Sequence, residues 1–128
     1  MEQRPRGGPA GNVRTAVVWE VLSAVLAEED TTGTGLVVVD AGGGTGGFAV
    51  PLAEAGHHVT VVDPSPDSLA ALQRRAAERG LRVEALQGDL GDLPQLVAPG
   101  SADLVLCHSV LEVVDDARAA LVAVAGTL

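Results

Sequence analysis

Val37-Val38-Val39-Asp40-Ala41-Gly42-Gly43-Gly44-Thr45-Gly46-Gly47 decides the fold, because it runs an apolar β-type segment straight into a glycine loop. Phe48 to Ala55 follow as a helix-like segment that Gly56 closes. Glycines at such a bend adopt backbone conformations closed to other residues and let a ligand approach the main chain. A helix opening near Gly46 would then turn unpaired N–H groups and its positive dipole end toward an anionic group. Strand, glycine turn and helix are the context that separates a binding loop from an ordinary turn.

Two registers fit the same residues. Gly42-x-Gly44-x-x-Gly47 satisfies the dinucleotide fingerprint, whereas Asp40-x-Gly42-x-Gly44-x-Gly46 resembles the acidic-plus-glycine pattern of class I S-adenosylmethionine (SAM) dependent methyltransferases. Asp40 favours the second. A pyrophosphate gains nothing from an anion beside it, whereas a sulfonium bearing an α-amino group tolerates a carboxylate two residues before the first glycine.

The 128 residues amount to about one domain with a real core. With 47% hydrophobic residues but one Phe and one Trp, the composition is that of an α/β protein with small-residue helix packing. The net charge of −9 offers no cationic field for a phosphate backbone, so a nucleic-acid partner would need a basic surface supplied elsewhere. A lone cysteine, Cys107, excludes an internal disulfide and a cysteine-rich zinc site. It suits a reducing cytoplasm. No apolar run is long enough to cross a bilayer and the N-terminus lacks a signal-peptide core, so the expectation is a cytoplasmic chain with no membrane partner.

Residues 1–11, rich in Gly, Pro and Arg, read as a flexible arm, and residues 12–128 as the domain. From Asn12 to Glu29, Val13, Val17, Val21 and Val25 together with Ala16, Leu22 and Leu26 recur at helical spacing, with Asn12 as cap. Trp19 reads as helix core. Thr31 to Gly35 break the chain, and Val59 to Val62 form a second strand ending at Asp63. Asp63 lies about twenty positions beyond Gly42, the spacing of an acid that binds a ribose hydroxyl. His57 and His58 read as surface turn residues, neither a metal ligand.

Ser65 to Gly80 is the next helix, capped by Ser65, with Pro66 at the tolerated first position and Leu69, Leu72 and Ala76 inward. Arg74, Arg75, Glu78 and Arg79 form its solvated face. Arg82 to Gln87 alternates as a third strand into Gly88-Asp89-Leu90, where Asp89 could accept from an adenine amino group and Leu90 cover the ring. Leu93 to Val97 suggests a helical turn and Pro99-Gly100 a chain reversal. Asp103 to His108 is a fourth strand, apolar on both faces and so expected to be central in a parallel sheet. Cys107 in it reads as a small buried hydrophobe. Ser109 to Val114 is its loop, and Asp115 or Asp116 starts a last helix through Val124.

Asp40/Gly42/Gly44/Gly46, Asp63, Gly88-Asp89-Leu90 and Asp103-Leu104-Val105, in this order, resemble the N-terminal cofactor half of a class I SAM-dependent methyltransferase from Asn12 onward. The resemblance implies a Rossmann-like parallel sheet of order 3-2-1-4 with flanking helices. It also implies SAM with its ribose on Asp63, its adenine beside Asp89 and Leu90, and its methionine end over Asp40, Gly42, Gly43, Gly44 and Gly46. A closer likeness joins Gly11-x-x-Arg14-x-Ala16-x-x-Trp19-x-x-Leu22, Asp40-Ala41-Gly42-Gly43-Gly44 and His108-x-Val110-Leu111-Glu112. These are similar to the bacterial methyltransferases that esterify a carboxymethoxy group on a modified tRNA wobble uridine, and that likeness adds Arg14 and His108 to the cofactor site.

Such families continue through further strands, so the expectation is a chain incomplete at its C-terminus, with an open fourth-strand edge inviting self-association. Methyl transfer is an in-line displacement that needs alignment and water exclusion more than an acid–base pair. A carboxylate acceptor, as on modified tRNA, needs no base, whereas a small-molecule hydroxyl or amine could use His108. An NAD-dependent oxidoreductase domain, carried by Gly42, Gly44, Gly47 and Asp63, and a catalytically silent SAM-binding module are the alternatives.

Overall fold

The computed structural model describes residues 13–42, 47–107 and 126–128, with the side chains of 13–16 and 18 excepted. The elements run α1 (Val13–Glu29), β1 (Val37–Ala41), α2 (Ala49–Glu54), β2 (His58–Asp63), α3 (Pro66–Glu78), β3 (Glu84–Gln87), α4 (Leu93–Leu96) and β4 (Leu104–Cys107), with a 3-10 turn at Leu90–Asp92. All strand pairs are parallel and the sheet order is β3-β2-β1-β4, as the sequence implied.

Side chains alternate across a strand, and the two core clusters sort accordingly. Val38, Val59 and Val61 meet Trp19, Leu22 and Leu26 of α1, Leu52 of α2 and Leu69, Leu72 and Ala76 of α3 on one face. Val39, Ala41 and Val62 meet Leu90, Leu93 and Ala102 on the other. Leu52 and Leu72 are wholly buried, each worth about 2 kcal/mol of transfer free energy.

α3 forms where local chemistry requires it. Ser65 caps it by accepting from the Ser68 N–H at 3.2 Å, Pro66 occupies the first turn, and the chain leaves through Gly80 at φ +68°. Arg79 reaches back to Glu54 as an ion pair.

Three expectations are corrected. The valine row of α1 faces outward, Val17, Val21 and Val25 being 53%, 62% and 41% exposed. Leu22, Leu26 and the expected core residue Trp19 form the packed side alone, with Trp19 tilted against Phe48 at 6.3 Å between ring centroids. The two rows have the same helical spacing, and the sheet lies on the side that carries the indole. β4 has the edge position among the described residues that the 3-2-1-4 order implied, and it is half-buried, so the reading of a central strand covered on both faces does not hold. Cys107 at its end is accordingly exposed.

His57 and His58 also depart from the turn reading. His58 opens β2, and its Nε2 lies 3.2 Å from the Thr34 carbonyl. His57 is half-buried and accepts the Leu36 N–H at Nδ1, 3.1 Å away. Asn12, Gly43, Gly44, Gly46, His108, the first eleven residues and the last expected helix lie outside the described residues.

Candidate functional site

Parallel pairing brings the C-terminal ends of all four strands to one edge of the sheet, where ligands of open α/β folds bind at the point of strand-order reversal. Here the chain runs β1 to β3 in one direction and places β4 on the other side of β1, so the reversal falls between β1 and β4. Three carboxylates end three successive strands at this edge: Asp40 on β1, Asp63 on β2 and Asp89 just past β3.

Asp40 is wholly buried, opposite Val61 of β2 and Leu106 of β4. After it the chain turns at Gly42, whose φ of +79° suits glycine and whose N–H donates to the Val62 carbonyl at 2.7 Å. The helix behind the loop is shorter than the sequence suggested. α2 begins only at Ala49 and spans six residues, with Pro51 in its first turn.

Asp63 is 9% exposed, and its Oδ1 accepts from the Ser65 N–H at 2.9 Å. That turn leads into the cap of α3, so one local device fixes both the acid and the helix. The Gly88 N–H donates to the Asp63 carbonyl at 3.1 Å, locking the ends of β2 and β3 together. A Cβ on Gly88 would crowd Leu96 and Asp92.

Asp89 is exposed and caps the 3-10 turn. Its Oδ1 accepts from Gly91 N–H at 2.9 Å while Asp92 Oδ2 accepts from Asp89 N–H at 2.9 Å. Leu90 is 1% exposed within the second core cluster, so its side chain anchors the turn from below. Sequence reasoning missed Ser65 as the partner of Asp63 and Asp92 as the partner of Asp89. The Asp-x-x-Asp spacing of a capping box was the available signal for the latter.

Cys107 ends β4 opposite Ala41. Although it reaches solvent, partial desolvation raises its thiol above the ordinary range, and the Asp40 carboxylate adds to the shift in the same direction. The thiol is therefore a poor nucleophile at neutral pH. Arg14 lies on α1, its side chain outside the description. Among the described residues, no group of three His, Cys, Asp or Glu could hold a metal, and no helix is long and apolar enough to cross a membrane.

Of the three acids, Asp40 separates the two cofactor chemistries, because a ribose diol and an adenine amino group are common to both SAM and NAD. A ribose diol, an ammonium and an exocyclic amino group are hydrogen-bond donors and suit three carboxylates. A pyrophosphate would meet those anions without a basic side chain on the described strand ends.

Comparison with known proteins agrees. Residues 38–128 match the family described as methyltransferase domain. The chain is 36% identical over 118 residues to a tRNA 5-carboxymethoxyuridine methyltransferase of Escherichia coli (strain K12), covering 90% of this chain and 44% of that protein. It is 37% identical over 89 residues to a ubiquinone biosynthesis O-methyltransferase of Methylocella silvestris, covering 64% and 31%. Among solved structures, magnesium protoporphyrin IX methyltransferase from Synechocystis PCC 6803 with bound SAM superposes with a TM-score of 0.66 at 27% identity, covering 93% of this chain and 61% of that one. The chain spans less than half the length of the two relatives.

Proposed function

Because the chain belongs to the SAM-dependent methyltransferase family, we propose that the C-terminal edge of its sheet holds SAM for methyl transfer to an acceptor. The observation that carries this reading is the row of carboxylates near the ends of β1 and β2 and just past β3. Asp63, held by the Ser65 N–H, takes the ribose hydroxyls. Asp89, fixed by its reciprocal bonds with Gly91 and Asp92, takes the adenine amino group, with Leu90 holding the turn in place. Asp40 and Gly42 face the methionine end. Gly43, Gly44, Gly46, Arg14 and His108 join them by family resemblance, and Arg14 would pair with the cofactor carboxylate.

When bound, SAM supplies an electrophilic methyl group. The chain's own contribution is to orient it and exclude water, since charge is neutralised along the displacement. His108 serves as base only where the acceptor is a hydroxyl or amine.

The acceptor is a small molecule or a modified-tRNA carboxylate. The relatives include one of each kind by name, and the net charge of −9 favours the small molecule unless a basic surface is added. A cytoplasmic location belongs to the same reading, supported by the free thiol of Cys107. So does self-association through the apolar β4 edge, which concentration-dependent sedimentation would reveal.

Calorimetric titration with S-adenosylhomocysteine, with NAD alongside, tests the proposal. Saturable binding of the former alone is expected. Binding of NAD alone, or of neither, contradicts it, and cofactor binding without turnover on any acceptor would favour a silent binding module.

A further inference from the structure

The opposite end of the sheet carries a cleft of about 250 Å³ between α1 and the turn leading into β2, lined by Trp19, Ser23, Asp30 and His57 with Leu26 and Ala27. Asp30 precedes β1 and His57 precedes β2, so these two walls lie at the strand starts, whereas Asp40 and Asp63 lie toward the strand ends. Its walls are chemically uneven. Asp30 brings a carboxylate whose Oδ2 is steadied by the Gly35 N–H at 3.1 Å. His57 accepts the Leu36 N–H at Nδ1, which leaves the neutral ring with its proton on Nε2 as a donor. Ser23 contributes a hydroxyl that is buried with no hydrogen-bond partner among the described residues. α1 ends at Glu29, so its negative dipole end lies next to Asp30.

We propose that this cleft binds a small amino-alcohol cation of the ethanolamine or choline type. The carboxylate and the helix C-terminus each favour a cation. The His57 Nε2–H and the Ser23 hydroxyl suit an alcohol oxygen, and Leu26 and Ala27 suit the methylenes between. An anion would meet Asp30 where no Lys or Arg lines the walls. A purely apolar molecule would leave Asp30, Ser23 and His57 desolvated and unsatisfied. The volume equals roughly eight waters, which admits a molecule of this size. The site is separate from the proposed cofactor edge, and the inference stands whatever the outcome there.

Trp19 is the single tryptophan and the chain has no tyrosine, so its emission reports on the cleft directly. Choline chloride is titrated into the chain, with the uncharged isostere dimethylbutanol and matched sodium chloride as parallel series. The expected result is a saturable change with choline at millimolar concentration and a response at least about tenfold weaker with the isostere. Asp30→Asn keeps an acceptor for Gly35 and should weaken choline by about tenfold, with melting temperature and S-adenosylhomocysteine affinity held. Ala27→Leu, introduced at an exposed helix position, fills the cleft and should abolish the response. Equal responses to choline and its isostere, no saturable response, or choline titrations unchanged by both variants would overturn the proposal; should Asp30→Asn not fold, Ala27→Leu decides.

Discussion

The two ends of the parallel sheet anchor their polar side chains in different ways. At the N-terminal end they are spent on one short segment: Gly35 N–H is held by Asp30, Leu36 N–H by His57, Val37 N–H by Asp103 at 2.8 Å, and the Thr34 carbonyl by His58. At the C-terminal end the acids are fixed by short local turns, Asp63 by Ser65 and Asp89 by Gly91, and remain grouped along an edge. One end is stapled so that the strands start in register, with Asp30 and His57 also lining the cleft beside α1. The other is held in shape by local turns, and its acids stay grouped along the proposed cofactor edge.

The comparison breaks most easily at Gly35. Its φ is +89° and a Cβ would run into the Gly56 carbonyl, so Gly35→Ala should destabilise by about 3 kcal/mol in urea unfolding. A loss below about 1 kcal/mol would show that the N-terminal staples are soft.

Asp63→Ala sharpens the contrast from the other side. S-adenosylhomocysteine affinity should fall about a hundredfold, whereas stability should drop by only about 1 kcal/mol for the lost bond to Ser65. His57→Phe should do the reverse, costing about 1–2 kcal/mol because the Leu36 N–H loses its acceptor, with cofactor affinity unchanged in calorimetry. If the two variants had the same profile, the ends would not be functionally distinct.

The smallest effect concerns Cys107. Its thiol is raised, so the protonated form is favoured in the fold; that contribution is complete below the ordinary thiol range and is lost as pH rises through the raised value. Alkylation by iodoacetamide at about pH 8 should be slower than that of free cysteine and catch up in more alkaline buffer. Equal rates at about pH 8 would contradict the desolvation of the thiol beside Asp40.

What was legible in the sequence follows from the range of the interactions. The cap of α3, its Leu69, Leu72 and Ala76 face and the strand-end acids are set within a few residues, and the structure places them as read. The outward turn of Val17, Val21 and Val25 was not legible, because α1 is apolar on both sides and only packing on the sheet selects Trp19, Leu22 and Leu26. The roles of His57 and Asp103 were equally hidden, since Leu36 and Val37 lie 21 and 66 residues away from them in sequence. Leu90 was read as open to a ligand, whereas a neighbouring Leu93 buries with it in the second core cluster.

Hydrogen exchange of the whole chain, with and without S-adenosylhomocysteine, tests the division of the two ends most directly. The account predicts that ligand slows exchange at the amides of Gly42, Ser65 and Gly88 to Gly91 and leaves Gly35, Leu36 and Val37 unchanged. Protection centred on Gly35 to Val37, or none at the C-terminal edge, would contradict it.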